Sequence, residues 1–296
     1  MKSHPDHKEL LEQHRLAPSR QRGQNFLVNR HTAETIVDLS GVAENDRVVE
    51  LGVGFGALTI PLAAKVAQVL GLEIDAGIVK YHQESGDLPA NVTLLHQDLL
   101  RADFAELAGQ CGGRLKIVAN LPYSLSNPLL FKLVESREVL DSAVLMLQKE
   151  VAMRLLATPG TKEYGVLTVL LNGCASVKKL LNIGPNQFHP RPKVDSVVVK
   201  ISFYPTPARV AQLPAHDHVL LKKLVRAAFQ QRRKTLLNSL AASGLPGTSK
   251  SQLPALLQEA AIDPMVRPEK LRVEDFVGLT RVLRANTAAS LPVADC

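Results

Sequence analysis

No tryptophan occurs among the 296 residues, and there are only four tyrosines and three cysteines. Cys111, Cys174 and Cys296 are odd in number and far apart, so neither a disulfide framework nor a zinc site is indicated and no metal is expected. A membrane-spanning run is also missing: the apolar stretch from Ile60 to Leu72 is broken by Lys65 and is too short to cross a bilayer. The first fifteen residues, rich in His, Lys and Glu, lack the apolar core of a signal peptide, and the cytoplasm is the expected compartment, with no membrane partner. A phosphate-cradling G-x-x-x-x-G-K-[ST] motif is absent, which argues against a nucleoside triphosphatase. The glycine spacing G-x-G-x-G at residues 52–56 departs from the dinucleotide fingerprint G-x-G-x-x-G and disfavours a dehydrogenase.

What is present reads as a globular protein, 46% hydrophobic and 21% charged, of one large or two smaller domains. Apolar, β-branched runs at Val48 to Leu51, Val66 to Ile74, Val92 to His96, Leu115 to Ala119 and Ala143 to Leu147 alternate with helix-length segments. This recurrence predicts βαβ units: an α/β, Rossmann-like parallel sheet with its ligand at the carboxyl ends of the strands. Val197 to Phe203 is expected to be the last strand.

The strand ends carry polar groups. Glu50-Leu-Gly-Val-Gly-Phe-Gly-Ala-Leu-Thr59 offers a tight turn at Gly52 and Gly54 and a close backbone approach to a ligand. Glu73 suits the two hydroxyls of a ribose, and Asp98 suits an adenine amino group; each is equally the kind of residue that caps a helix or closes a turn. Upstream, Ser19-Arg-Gln-Arg-Gly-Gln-Asn-Phe-Leu27 is a basic loop in which Arg20 and Arg22 suit phosphate and Gln24 or Asn25 suits a small ligand, with a solvated entry loop as the alternative.

The fourth strand stops at Asn120-Leu-Pro-Tyr123. An exocyclic nucleobase amine is a poor nucleophile because its lone pair is delocalised into the ring. The Asn120 amide oxygen and the Leu121 carbonyl are two acceptors that suit its N–H groups and favour the more pyramidal nitrogen. Pro122 fixes the carbonyl, and Tyr123 offers a face for a flipped base. The other reading is a strand leaving the sheet through a Pro turn, with Tyr123 as packing. A nucleoside-bearing ligand beside an amine-binding loop points to S-adenosylmethionine and methyl transfer. The later loop Phe188-His-Pro-Arg-Pro-Lys-Val-Asp-Ser196 offers Phe188 as a second cover for the base, with Arg191 and Lys193 for phosphate; alternatively Phe188 belongs to the core.

Charge is distributed unevenly. Residues 1 to 205 hold 22 Lys+Arg against 21 Asp+Glu, and residues 206 to 296 hold 13 against 7. Beyond the Pro-rich linker near 204–214 the chain reads as helical, with an amphipathic helix from His218 to Leu240. At 100° per residue Lys222, Arg226 and Arg233 share one face of it, and Arg232 and Lys234 complete a basic stripe for a polyanion. The expected partition is a mobile arm at 1–18, a ligand-binding domain at 19–205, a helical docking domain at 206–284 and a disordered tail at 285–296.

Six blocks together resemble the small-subunit (16S) ribosomal RNA adenine N6,N6-dimethyltransferases: Gly23-Gln-Asn-Phe-Leu27, the block at 50–59, Asn120-Leu-Pro-Tyr123, Met146-Leu-Gln-Lys-Glu150, Phe188-x-Pro-x-Pro-Lys-Val-Asp-Ser196 and Ala228-Phe-Gln-Gln-Arg-Arg-Lys-Thr-Leu236. The resemblance covers residues 15 to 284. It implies a class I methyltransferase with a small C-terminal helical domain, a monomer that dimethylates two adjacent adenosines of small-subunit rRNA with S-adenosylmethionine. On matching positions it implies cofactor contacts at Asn25, Leu27, Gly52, Glu73, Asp98 and Asn120, and a target base held by Asn120 and Leu121 between Tyr123 and Phe188. Val53 stands where the family commonly has proline, and Arg22 where it has an aromatic residue or Leu. The competing readings are a large-subunit rRNA adenine methyltransferase of the macrolide-resistance type and a non-catalytic ribosome-assembly factor.

Overall fold

The computed structural model describes residues 25–231, 233–245 and 249–289, the side chains of 288 and 289 excepted. The expected arm at 1–18, Arg20, Arg22 and Arg232 lie outside the described residues. The chain forms two compact units, one of residues up to Ala152 with Val177–Pro205, the other of Met153–Ser176 with Thr206 onward. Met153–Ser176 therefore groups with the C-terminal helices, whereas the sequence alone places it in the sheet domain. Its apolar helix at Val166–Asn172 has its neighbours in that second unit, a long-range fact that local periodicity does not carry.

In the first unit the elements are β1 (Phe26–Leu27), α1 (Arg30–Ser40), β2 (Arg47–Leu51), α2 (Thr59–Ala63), β3 (Gln68–Glu73), α3 (Ala76–Ser85), β4 (Val92–His96), α4 (Phe104–Cys111), β5 (Leu115–Asn120), α5 (Ser126–Glu135) and β6 (Leu140–Gln148). After α6 (Lys149–Leu155) and α7 (Val166–Asn172) come β7 (Ser176–Ile183), β8 (Phe188–His189) and β9 (Ser196–Ser202). Seven strands form one sheet in the order β4-β3-β2-β5-β6-β9-β7, and β1 pairs with β8 in a separate ribbon. The first five are parallel, which is why their sequences are apolar on both faces: Val48, Val49, Leu51, Ile117 and Val118 are fully buried. β9 is antiparallel to β6. The sequence puts the last strand of the sheet at Val197 to Phe203 and gives no sign of β7, whose Ser-Val-Lys-Lys-Leu-Leu-Asn-Ile is half exposed and keeps no strict alternation.

The parallel strands all deliver their last residues to one edge. Glu50, near the end of β2, stands in register with Gly71 of β3 and Val118 of β5, so it lies inside the sheet. Glu73 ends β3 and Asn120 ends β5.

The second unit is helical, with α7, α8 (Ala208–Ala211), α9 (His218–Ala228), α10 (Leu236–Ser243), α11 (Leu253–Glu259) and α12 (Val273–Ala289). Asp217 caps α9, accepting from the backbone N–H groups of Val219 at 2.9 Å and Leu220 at 3.0 Å, and its carboxylate also pairs with Arg284. The apolar face of α9 is buried through Leu221, Leu224, Val225 and Ala228, and Phe229 then packs against Tyr164 and Phe276. α9 is shorter than expected. It stops at Ala228, a short 3-10 turn spans Phe229–Gln231, and Thr235 caps the next helix. Arg233 and Lys234 therefore lie in the connection and do not extend the face of Lys222 and Arg226. α12 runs on to Ala289, so residues 285–289 are helical and only 290–296 of the expected disordered tail lie outside the described residues.

Candidate active site

A cavity of about 300 Å³ opens where the strand ends converge. Its floor is the glycine turn after β2. Gly52 has φ +81° and Gly54 φ +54°, both left-handed, and a Cβ on Gly52 would stand 2.8 Å from Leu121 Cδ2. The Gly52 N–H donates to the Leu72 carbonyl at 2.8 Å, which ties the turn to β3. Val53, the departure from the family pattern, is buried, and its Cγ2 fills the space beside Gly71, where a Cβ would come within 2.5 Å. The turn is thus held by packing where a proline ring would hold it by covalent restriction.

Of the residues expected from sequence to contact a cofactor, Asn25, Leu27, Gly52, Gly54, Glu73, Asp98 and Asn120 all line this cavity. Leu121 and Pro122 line it too. Glu73 is engaged by the backbone: Oε2 accepts from Gly54 N at 2.9 Å, and Oε1 accepts from Ile74 N and Asp75 N, each at 2.9 Å. It fixes the glycine turn and retains lone pairs for a ligand. Asp98 Oδ1 accepts from Leu100 N at 2.8 Å, the turn-closing role that the sequence leaves open, while the residue still faces the cavity.

Tyr123 and Phe188 are not on the cavity wall. Tyr123 is half-buried next to the turn, its hydroxyl 2.8 Å from Ser196 Oγ at the start of β9, and burial raises its pKa against the lowering effect of that hydrogen bond. Phe188 is 4% exposed and packs in the core with Leu27 and Ile36, the alternative that the sequence leaves open; in this packing it offers no free face to a base. The cause is the β1–β8 ribbon, in which Leu27 and Phe188 are partners and draw each other inward. Arg191 and Lys193 are exposed in the loop before β9. In the helical unit Arg226, Arg233 and Lys234 are exposed and Lys222 is half-buried.

Sequence reasoning gives Glu50 no role of its own. It is 1% exposed, lines the cavity, and its Oε2 has no hydrogen-bond partner. Burial pushes its pKa up to about 8, the adjacent Thr59 hydroxyl offsets part of this, and the charge of Glu73 adds to it. The available signal is an acid in an otherwise apolar strand, a residue type rarely buried without a partner. A buried carboxyl with one unpartnered oxygen, beside a glycine turn and an acidic strand end, fits a ligand that is both cationic and nucleoside-like.

Among the described residues no cluster of His, Cys, Asp and Glu has metal-binding geometry, and no helix is long and apolar enough to cross a membrane.

A mixed seven-stranded sheet of this order, with a glycine turn and acidic residues at the carboxyl edge, is the fold of the class I methyltransferases. The profile of the family described as ribosomal RNA adenine dimethylase matches residues 18–284, and the chain belongs to that family. The ribosomal RNA small subunit methyltransferase A of Desulfotalea psychrophila is 50% identical over 279 residues, covering 92% of this chain and 93% of that protein. A dimethyladenosine transferase of Plasmodium falciparum superposes with a TM-score of 0.70 at 26% identity, over 87% of this chain and 97% of that one. The 23S rRNA methyltransferase ErmE, 23% identical, shares the fold with a TM-score of 0.63 over 88% of this chain and 100% of its own.

Proposed function

We propose that the protein transfers methyl groups from S-adenosylmethionine to the N6 amines of two adjacent adenosines in a hairpin loop near the 3′ end of small-subunit (16S) rRNA, giving N6,N6-dimethyladenosines during ribosome biogenesis in the cytoplasm. It acts as a monomer. One observation carries this reading: in a member of the rRNA adenine dimethylase family, the Asn120-Leu-Pro turn lines the same cavity as Glu50, Glu73 and Asp98.

Gly52 and Gly54 would seat the cofactor's backbone-facing side, Glu73 its ribose, Asp98 its adenine amino group and Asn25 with Leu27 its outer face. Glu50 supplies a counter-charge. Held neutral by burial, it ionises against a cation. When bound, S-adenosylmethionine supplies an electrophilic methyl group on a positively charged sulfur. Asn120 Oδ1 and the Leu121 carbonyl accept from the two N–H groups of the target amine and orient its lone pair toward that methyl. Pro122 restricts the backbone that aims the Leu121 carbonyl. Tyr123, braced by Ser196, stacks on the flipped adenine. Phe188 acts first through the Leu27 ribbon and reaches the base only by leaving its core packing. None of these residues is a general base, and the departing proton goes to solvent. Exposed Arg191, Lys193, Arg226, Arg233 and Lys234, together with Lys222, Arg20, Arg22 and Arg232, meet rRNA phosphates.

The test is to incubate the protein with methyl-labelled S-adenosylmethionine and undermethylated small or large subunits, then map the label. Two adjacent dimethyladenosines on small-subunit rRNA are expected. Label on large-subunit rRNA overturns the substrate, and no label with tight subunit binding makes the protein an assembly factor.

A further inference from the structure

Beneath the glycine turn lies a histidine that the proposed chemistry does not use. His82 is 3% exposed, in the last turn of α3, whose carboxyl-end dipole favours a cation. Its Nε2 is 2.8 Å from the Gly54 carbonyl oxygen, and its Nδ1 is 2.7 Å from Asp87 Oδ1. A carbonyl can only accept, so Nε2 carries a proton. Burial works to raise the carboxyl pKa of Asp87, but its hydrogen bonds with His82 and Ser85 hold it below the usual carboxylate range. The ring therefore links the glycine turn to Asp87.

The Gly54 peptide is thereby gripped from both sides: Glu73 Oε2 takes its N–H at 2.9 Å, and His82 takes its carbonyl at 2.8 Å. An aromatic series continues from the same point, with Tyr81 against His82 at 5.1 Å, Phe55 against Tyr81 at 5.7 Å and Phe26 against Phe55 at 4.9 Å. It joins α3 to the glycine turn and to the segment that carries Asn25 and Leu27.

We infer that His82, paired with Asp87, is a positioning residue for cofactor binding: it holds Gly54 in the left-handed conformation that shapes the cavity floor. The inference rests on the reading of that cavity as the cofactor site. Asp87 does not line the cavity, so its effect on binding is indirect: it passes through His82 to the Gly54 carbonyl, with a second route through Tyr81 to Phe55.

The full chain, His82→Gln and Asp87→Asn are each titrated with S-adenosylmethionine by calorimetry, and KM for the cofactor, kcat, thermal midpoint and small-subunit binding are measured in parallel. Loss of the hydrogen bond on the turn should raise Kd and KM about tenfold in His82→Gln and about threefold in Asp87→Asn. At saturating cofactor kcat stays within about twofold, because the turn is already held by ligand. Wild-type Kd in a folded His82→Gln overturns the inference. If that variant does not fold, Asp87→Asn decides: unchanged Kd overturns the inference and a raised Kd supports it. A wild-type protein that binds no S-adenosylmethionine sinks the cofactor reading and the inference together, whereas binding by all three proteins with equal affinity sinks the inference alone.

Discussion

The carboxyl edge of the sheet and the helical unit carry their functional groups in opposite ways. At the sheet edge the acids Glu73 and Asp98 are buried or half-buried and bonded to backbone: Glu73 makes three such bonds, and Asp98 closes its own turn. In the helical unit the basic side chains of Arg226, Arg233 and Lys234 stand exposed beyond a separate apolar core built on Phe229 and Phe276. The first arrangement gives geometry, since a group with several fixed partners has one position. The second gives field, since exposed charges are screened within about 8–10 Å and act by their number. One substitution should therefore abolish work at the edge, and several should be needed to weaken the helical unit.

The largest effect expected is that of Asn120→Ala. Removing an acceptor used during the reaction should lower methyl transfer by about 100-fold or more while leaving small-subunit binding within about twofold. Single-turnover transfer of labelled methyl measures it, and near-normal turnover removes Asn120 from the reaction. Next come the two aromatic candidates. Tyr123→Ala should cost about 1–3 kcal/mol of target-base binding with a small change in thermal midpoint. Phe188→Leu should lower the midpoint and leave RNA affinity almost unchanged, because the ring is core. The reverse pattern would restore Phe188 as a base-stacking residue.

Glu50→Gln should reveal the buried acid through pH. Its folded pKa, about 8, lies above the ordinary value of 4.5, so the native state holds a proton that the unfolded chain releases. Stability from this group is complete below about 4.5 and is lost as pH rises toward 8. The variant should match wild type at low pH, exceed it in thermal midpoint at pH 8 and lose cofactor affinity there. A pH-independent difference in midpoint contradicts the assignment. The smallest effects belong to the basic group. Neutralising Arg226, Arg233 or Lys234 singly should reduce the salt slope of subunit binding by about 0.7–0.9 for each phosphate no longer neutralised, with kcat unchanged. A slope that stays constant removes that residue from the interface.

Much of the sheet is legible in the sequence because parallel strands buried on both faces leave uninterrupted β-branched runs, and because turns after them need glycine. β7 escapes because only one of its eight residues is fully buried, so its apolar residues keep no strict alternation. The end of α9 at Ala228 escapes for a related reason: Arg233 continues the helical angle on paper, but Phe229 turns into the core with Tyr164 and Phe276. In the site, Asn120, Glu73 and Asp98 are visible as polar groups at strand ends. His82 gives no signal, since its partner at Gly54 lies 28 residues away.

By itself the sequence determined the six family blocks, the glycine spacing, the strand-ending turn at Asn120-Leu-Pro-Tyr123 and the basic C-terminal third, all features carried by neighbours in the chain. Only the tertiary structure decided that Glu50 is a buried acid in the cavity with a raised pKa, that Phe188 is core and that His82 bonds Gly54. Each of those depends on burial or on a partner that folding supplies, and neither is a property of a residue and its sequence neighbours alone.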